Sequence, residues 1–395
     1  MNEEFMGFQR PKGEVGIRNT IVVLPSVVCV NHVATQIAQK VENAVALPHP
    51  LGCGQFGMDF QITKNTLAGL ATNPNVYGTL VVGLGCENLK SKTLARSVKR
   101  RKKPIEYFDV QDIKGGTNAA IEKGVKIVKK FAEEARELKR EPFDFSHLVL
   151  GLECGASDSI SGISANPALG IVSDKIVELG GTSILPEFTE WIGTEHLLME
   201  RAVDKDVASQ IGEVIDGFLD QTMRIGIDFR GIQPTPGNVE GGLTTIEEKS
   251  LGTIAKAGKA PIQGVLKYSE TPKGKGLWLM VEPGLDIESM TGMAAAGANV
   301  IIMTTGRGSP AGNPVVPVIK TCGNPKTCEW MKCNIDVDAS TIITEGKSVP
   351  DIADALWDKL KATCNGELTC AERLGFGEIA ICRDMTFSPF ATKNR

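Results

Sequence analysis

An α/β fold of two Rossmann-like units with mostly parallel sheets follows from three features of the sequence. Short apolar runs rich in β-branched residues alternate with amphipathic stretches along the whole chain. The runs are continuously apolar rather than alternating, as strands covered on both faces require. The strand–helix order also restarts once, after a polar segment at residues 136–145 (RELKREPFDF) that contains Pro142. That segment is the expected linker, so residues 1–140 and 141–395 are read as the two units.

In the first unit, residues 21–28 (IVVLPSVV) read as a buried strand and 31–42 as the helix after it. A short strand at 44–47 precedes a turn through 49–57 and a helix at 63–71. Residues 79–84 (TLVVGL) and 105–110 are further strands, and 117–139 is a long helix with its charges on one face. The basic run 99–103 (KRRKK) reads as the solvated end of a helix before Pro104, because no aromatic is interleaved with it. The second unit begins with a strand at 147–152, a helix at 167–179 and a strand at 182–185. A helical region at 195–224 and an irregular Pro/Gly segment at 231–242 follow. A helix at 244–257, a strand at 277–281, a helix from 289 passing into a strand at 300–303, and a late helix at 348–362 complete it.

Composition narrows the function. The 395 residues carry a net charge of −4, so no global positive field draws the chain to nucleic acid or an anionic membrane. No run approaches the roughly 18 apolar residues of a membrane span, and the opening MNEEFMGFQRPKGE lacks an apolar signal core, so a cytoplasmic location is expected. Ten cysteines are too sparse for a disulfide scaffold, and no Cys-x-x-Cys pair is present. Cysteines that carry chemistry here would act as thiolates on a metal or as nucleophiles.

The unusual residues fall at strand ends. Cys29 and His32 follow the first strand, His49 and Cys53 (PHPLGCGQ) the second, and Cys86 and Glu87 (GLGCEN) the third. Cys154 and Asp158 (GLECGASD) close the strand that opens the second unit. Glu187, Glu190, Glu195 and His196 follow the strand at 182–185, and Thr304, Thr305 and Arg307 (TTGRGS) close the one at 300–303. Parallel sheets bind ligands outside the carboxyl ends of their strands, so these groups are expected to converge on one rim. Carboxylates, imidazoles and thiolates together suit a divalent metal such as iron(II), manganese or zinc. The expected ligands are His49, Cys53, Cys86, Cys154, Glu190 and His196. Asn238, Thr244, Lys249, Lys256, Thr304 and Arg307 suit an anionic, hydroxyl-rich substrate; Lys249 and Lys256, seven apart, share a helix face. Cys322, Cys328 and Cys333 are clustered but lack a zinc spacing, and the Gly83–Gly85 pair lacks the rest of a dinucleotide fingerprint.

These motifs are together familiar. The stretches GEVGIRNTIVVLPSVVCVNHVA, HPLGCGQ, TLAGLATNPNVYGTLVVGLGCEN, SGISANPALG, EHLLMERAV, PTPGNVEGGLTTIEEKSLG and TTGRGSPAGNPVVPVIK, from Gly13 to Asp338, resemble the catalytic portion of the altronate/galactarate dehydratase family. The resemblance implies a lyase that removes water from a polyhydroxy carboxylate to give a 2-keto-3-deoxy acid, with Fe2+ (or Mn2+) as cofactor. It also implies a separate small, β-rich SAF-type subunit as partner in a larger oligomer. A related branch releases sulfite from sulfolactate. His49, His196 or Glu190 is the expected base, with Lys249 and Arg307 holding the substrate. The competing reading is an iron–sulfur redox protein with Cys53, Cys86 and Cys154 as ligands, although ferredoxin-type ligands are spaced more closely.

Overall fold

The structure is a computed structural model that describes residues 3–282 and 284–383. The chain opens with β1 (Glu4–Gln9) and β2 (Val15–Gly16), then enters an open sheet through β3 (Thr20–Pro25), α1 (Asn31–Ala38) and β4 (Ala44–Ala46). The unit continues with α2 (Gly57–Thr72), β5 (Val76–Gly83), α3 (Ser91–Arg100), β6 (Ile105–Asp109) and α4 (Gly116–Glu137). The sheet order is β4-β3-β5-β6, and every pairing is parallel. All six residues of β3 are buried, as a strand covered on both faces demands. α4 buries Ala120, Ile121, Gly124, Val128, Phe131, Ala132 and Ala135 along one stripe, so its charges face outward as the sequence indicates.

The expected linker is partly a strand. β7 (Glu141–Asp144) pairs antiparallel with β1, setting Phe5 opposite Phe143. Its short, Pro-containing sequence carries no strand pattern of its own; the pairing comes from a partner more than 130 residues away.

The second unit runs β8 (Val149–Gly155), α5 (Ala165–Glu178), β9 (Thr182–Leu185), α6 (Glu195–Met199), α7 (Lys205–Arg224), α8 (Phe229–Ile232), α9 (Pro236–Glu240) and α10 (Ile246–Ala255). Then come β10 (Ile262–Leu266), β11 (Gly276–Met280), α11 (Asp286–Ala296), β12 (Val300–Thr305), β13 (Val318–Cys322), α12 (Pro325–Trp330) and β14 (Val337–Asp338), with further helices to Leu374. The sheet order is β10-β11-β9-β8-β12-β13-β14, again all parallel. β9, β11, β12 and β13 are buried throughout. The chain is thus α/β with two parallel sheets, as the sequence indicates.

The units share a core. Leu70 and Ala71 of α2 cluster with Met293 and Ala294 of α11. Gly69 permits that approach, since a Cβ there would stand 2.3 Å from the Ala295 carbonyl oxygen. Asn73 Nδ2 donates to the Ala294 and Ala298 carbonyls at 2.7 and 2.8 Å, fixing the seam with buried hydrogen bonds. Among the described residues, no helix is long and apolar enough to cross a membrane.

Candidate active site

β8 has β9 on one side and β12 on the other, so the strand order reverses there, where open α/β sheets bind ligands. The carboxyl ends converging at this point are acidic. β8 ends in Glu153 and Cys154; Glu187 and Glu190 follow β9, Glu282 follows β11, and Asp286 opens α11. Glu153, Glu187 and Glu282 are fully buried. Two lysines from α10 and its end meet them. Lys249 Nζ lies 3.0 Å from Glu190 Oε1, and Lys256 Nζ lies 3.0 Å from Glu187 Oε2. Thr253, between them on the helix, donates to Glu190 Oε2 at 2.5 Å, and Ser289 donates to Glu153 Oε2 at 2.5 Å.

The backbone is held in uncommon conformations to achieve this. Glu187 occupies the left-handed region (φ 66°, ψ 53°), which costs a non-glycine residue about 1–2 kcal/mol. The Phe188 N–H donates to the Glu282 carbonyl, tying the two acidic strand ends together. On the other side of β8, Asp158 accepts from the Ser161 N–H and hydroxyl and from Asn324. It packs so tightly on Gly306 that a Cβ there would stand 2.0 Å from its Cγ. The first glycine of TTGRGS, Gly306, therefore serves close packing.

Burial sorts the proton affinities. It pushes Glu153 well above the usual carboxylate range, helped by repulsion from Glu187, Asp286 and Glu282. Burial and the neighbouring Glu190 raise Glu187 as well. Burial raises Glu282 to about 7 and Cys154 to about 11. For Glu190 burial acts the same way, but Lys249 and Lys256 overcome it and hold this carboxyl below its ordinary value. Both lysines keep their protons against desolvation because the surrounding acids attract them. One ionised carboxylate thus sits beside proton-holding neighbours, the arrangement that acid–base catalysis needs.

A cavity of about 210 Å³ adjoins the cluster, lined by Ser157, Asp158, Ser159, Asn166, Lys249 and Thr253 among others. Lys249 and Thr253 belong to both, linking open space to the buried acids.

The residues singled out from sequence divide. Cys154, Glu190, Lys249 and Lys256 are brought together, and Thr304 Oγ1 bonds to the Glu153 carbonyl at 3.3 Å. Lys256 is fully buried and paired with Glu187, so it organises the acids rather than lining the cavity as a substrate contact. His49 lies in the first unit with both ring nitrogens engaged: Nε2 at 2.9 Å from the Pro25 carbonyl and Nδ1 accepting from the Leu51 N–H. Burial lowers its proton affinity, so it stays neutral and ties two loops. Cys53 and Cys86 are exposed on first-unit loops, and His196 is exposed on α6. Asn238 holds the Ser157 carbonyl, Thr244 holds Glu248, and Arg307 holds the Gly237 carbonyl and Glu240. Asn238 and Arg307 thus tie α9 to the segments after β8 and β12, and Thr244 is bonded at the start of α10. Sequence reasoning missed Glu153, Glu282 and Asp286. Glu153 stands one residue before Cys154 in a motif already singled out, and a carboxylate at a buried strand end was the available signal.

Among the described residues, no group of three or more His, Cys, Asp or Glu side chains is arranged to hold a metal ion as it stands. The six ligands expected from sequence are split by the engaged ring of His49 and the exposed His196. The acidic cluster nevertheless fits a divalent cation in its chemistry. Glu153 Oε1 and Glu282 Oε2 are buried without a hydrogen-bond partner, and the carboxyls repel one another.

A parallel α/β chain with lysines and carboxyls gathered at its switch point holds the groups that acid–base enzymes use. Comparison with known proteins gives the family. Residues 145–387 match the D-galactarate/altronate dehydratase C-terminal domain, and residues 7–136 match the second domain of D-galactarate dehydratase/altronate hydrolase. The chain is 39% identical to the (2R)-sulfolactate sulfo-lyase subunit beta of Chromohalobacter salexigens, over 96% of this chain and 97% of that one. It is 35% identical to the altronate dehydratase of Bacillus subtilis, over 96% of this chain and 78% of that protein. It is 32% identical to the galactarate dehydratase (L-threo-forming) of Escherichia coli, over 92% and 73%. The chain belongs to the galactarate/altronate dehydratase family, and it is a lyase.

Proposed function

We propose that this chain is the catalytic subunit of a hydro-lyase that converts a sugar acid such as altronate to a 2-keto-3-deoxy acid. The observation that carries the reading is the ionised Glu190 between two lysines, set among proton-holding carboxyls beside a polar cavity. The substrate carboxylate pairs with Lys249, the lysine that reaches the cavity. In doing so it draws Lys249 from Glu190 Oε1, which raises the proton affinity of Glu190 at the moment a base is required. Glu190 takes the proton α to the carboxylate, and the electrons of that C–H bond form the Cα–Cβ double bond. The β-carbon–oxygen bond breaks, and Glu187 delivers its proton to the departing hydroxyl as water. The resulting enol tautomerises to the 2-keto acid. Lys256 keeps Glu187 and Glu190 at the spacing this exchange needs. Fe2+ or Mn2+, held by Glu153 and Glu282, would supply Lewis-acid stabilisation of the charge that develops on the substrate carboxylate.

A second reading, elimination of sulfite from sulfolactate, is favoured by the match to the sulfo-lyase subunit over nearly its whole length. That relative is named as a subunit beta, which supports a multi-subunit enzyme; we assign the small SAF-type chain as its partner and the cytoplasm as its place of work. Anaerobic turnover with iron(II), over a panel of sugar acids and sulfolactate, tests both readings. Formation of 2-keto acid without sulfite supports the first, sulfite release the second. Full turnover by Glu190→Gln would remove the mechanism.

A further inference from the structure

The opposite edge of the sheets carries a second cleft of different chemistry. It encloses about 470 Å³ at the amino ends of β8, β9 and β12, between the two units, a size typical of small-molecule sites. Lys12 and Arg101 line it from the first unit, and Lys273 and Lys275 from the second, with His147 beside them. The one acid in the lining is Glu14, already paired with Arg101 at 3.0 Å. In a chain of net charge −4, this is a local reversal of sign.

Helix ends give these cations an obvious alternative task, because α2 and α11 both terminate here and expose carbonyls that favour positive charge. That task is filled by other groups. Asn73 Nδ2 covers the Ala294 and Ala298 carbonyls, and the buried Lys103 Nζ covers those of Asn73 and Val76. Of the lining cations, Lys275 donates to the Ser146 carbonyl, and Lys273 meets Glu270 only at 3.6 Å in an exposed setting. Lys12 is exposed. Glu14 offsets the charge of Arg101, so the net positive charge of the lining rests on Lys12, Lys273 and Lys275.

We propose that this cleft binds a small, multiply charged anion of the phosphate class, which bridges the units through Lys12 and Arg101 on one wall and Lys273 and Lys275 on the other. The test is calorimetric titration of the purified chain at constant ionic strength with inorganic phosphate, pyrophosphate and a sugar phosphate. Lys12→Glu/Lys273→Glu is compared with wild type, and Lys99→Glu, exposed on α3 outside the cleft lining, serves as the charge control. Saturable one-site binding of any of the three is expected, weakened at least about tenfold in the double variant and unchanged in the control. The order of affinities distinguishes an inorganic ligand from a phosphorylated metabolite. No saturable binding, an unchanged double variant, or an equal loss in Lys99→Glu overturns the proposal. Lys12→Ala/Lys273→Ala gives the same comparison if circular dichroism shows the charge reversal to be misfolded. The readout is binding alone, so it stands or falls separately from the elimination chemistry.

Discussion

Replacing Lys256 with methionine keeps roughly the length and volume of the side chain and removes its charge. In the native structure that charge is fully buried, 3.0 Å from Glu187, and it also stabilises the ionised forms of Cys154, Glu190 and Glu153. Removing one partner of a buried ion pair costs about 3–5 kcal/mol, because the other charge is left without compensation. Glu187 already favours its proton and can neutralise, so the loss belongs at the lower end, about 3 kcal/mol, or roughly a hundredfold in the folding equilibrium. Urea unfolding at pH 7 measures it, with the fully buried Trp191 in the adjoining loop among the tryptophan reporters. Adding Glu187→Gln to the variant should change stability by less than about 1 kcal/mol further, since Glu187 is already neutral once Lys256 is gone. A loss below about 1 kcal/mol in Lys256→Met would refute the placement of Lys256 at the centre of the acids.

Three more outcomes follow from the same geometry. The Glu282 carboxyl titrates near 7 when folded, against an ordinary 4.5, so the folded chain holds the extra proton between those values. Its stabilising effect is full below pH 4.5 and lost as pH rises through 7, a fall of about 3 kcal/mol that Glu282→Gln should flatten in urea midpoints taken from pH 5 to 8. Lys249→Met should raise KM at least about tenfold, more than it lowers kcat, by removing the substrate's charge-assisted hydrogen bond; an unchanged KM excludes Lys249 as the carboxylate anchor. His49→Ala should cost about 2 kcal/mol of stability, from two lost hydrogen bonds at a buried position, with kcat per folded molecule retained. Lost turnover at full stability would return His49 to the chemistry.

The boundaries of β9 match those read from sequence, because a four-residue run ending in Ile-Leu between a glycine pair and a proline admits little else. β1 and β7 were not legible, since each is a short strand defined by the other. Within 99–103, the solvated reading holds for Lys99, Arg100 and Lys102, whereas Lys103 is buried on two carbonyls. Which side of the pleat or turn a lysine takes depends on what stands opposite, and residues 73–76 lie far away in the chain.

By itself the sequence determined the alternation of buried strands and helices, the parallel sheets and the crowding of polar groups at strand ends, because burial periodicity and turn chemistry are local. It also determined that Lys249 and Lys256 share a helix face. Which strand ends meet was decided only by tertiary structure. Strand order brings Glu153, Glu187 and Glu282 around those lysines, while the buried ring of His49 is engaged by two backbone groups of its own unit. Proton affinities depend on desolvation and on charges a few ångströms away. Neighbours of that kind come from residues tens to more than a hundred positions apart, which no local pattern records.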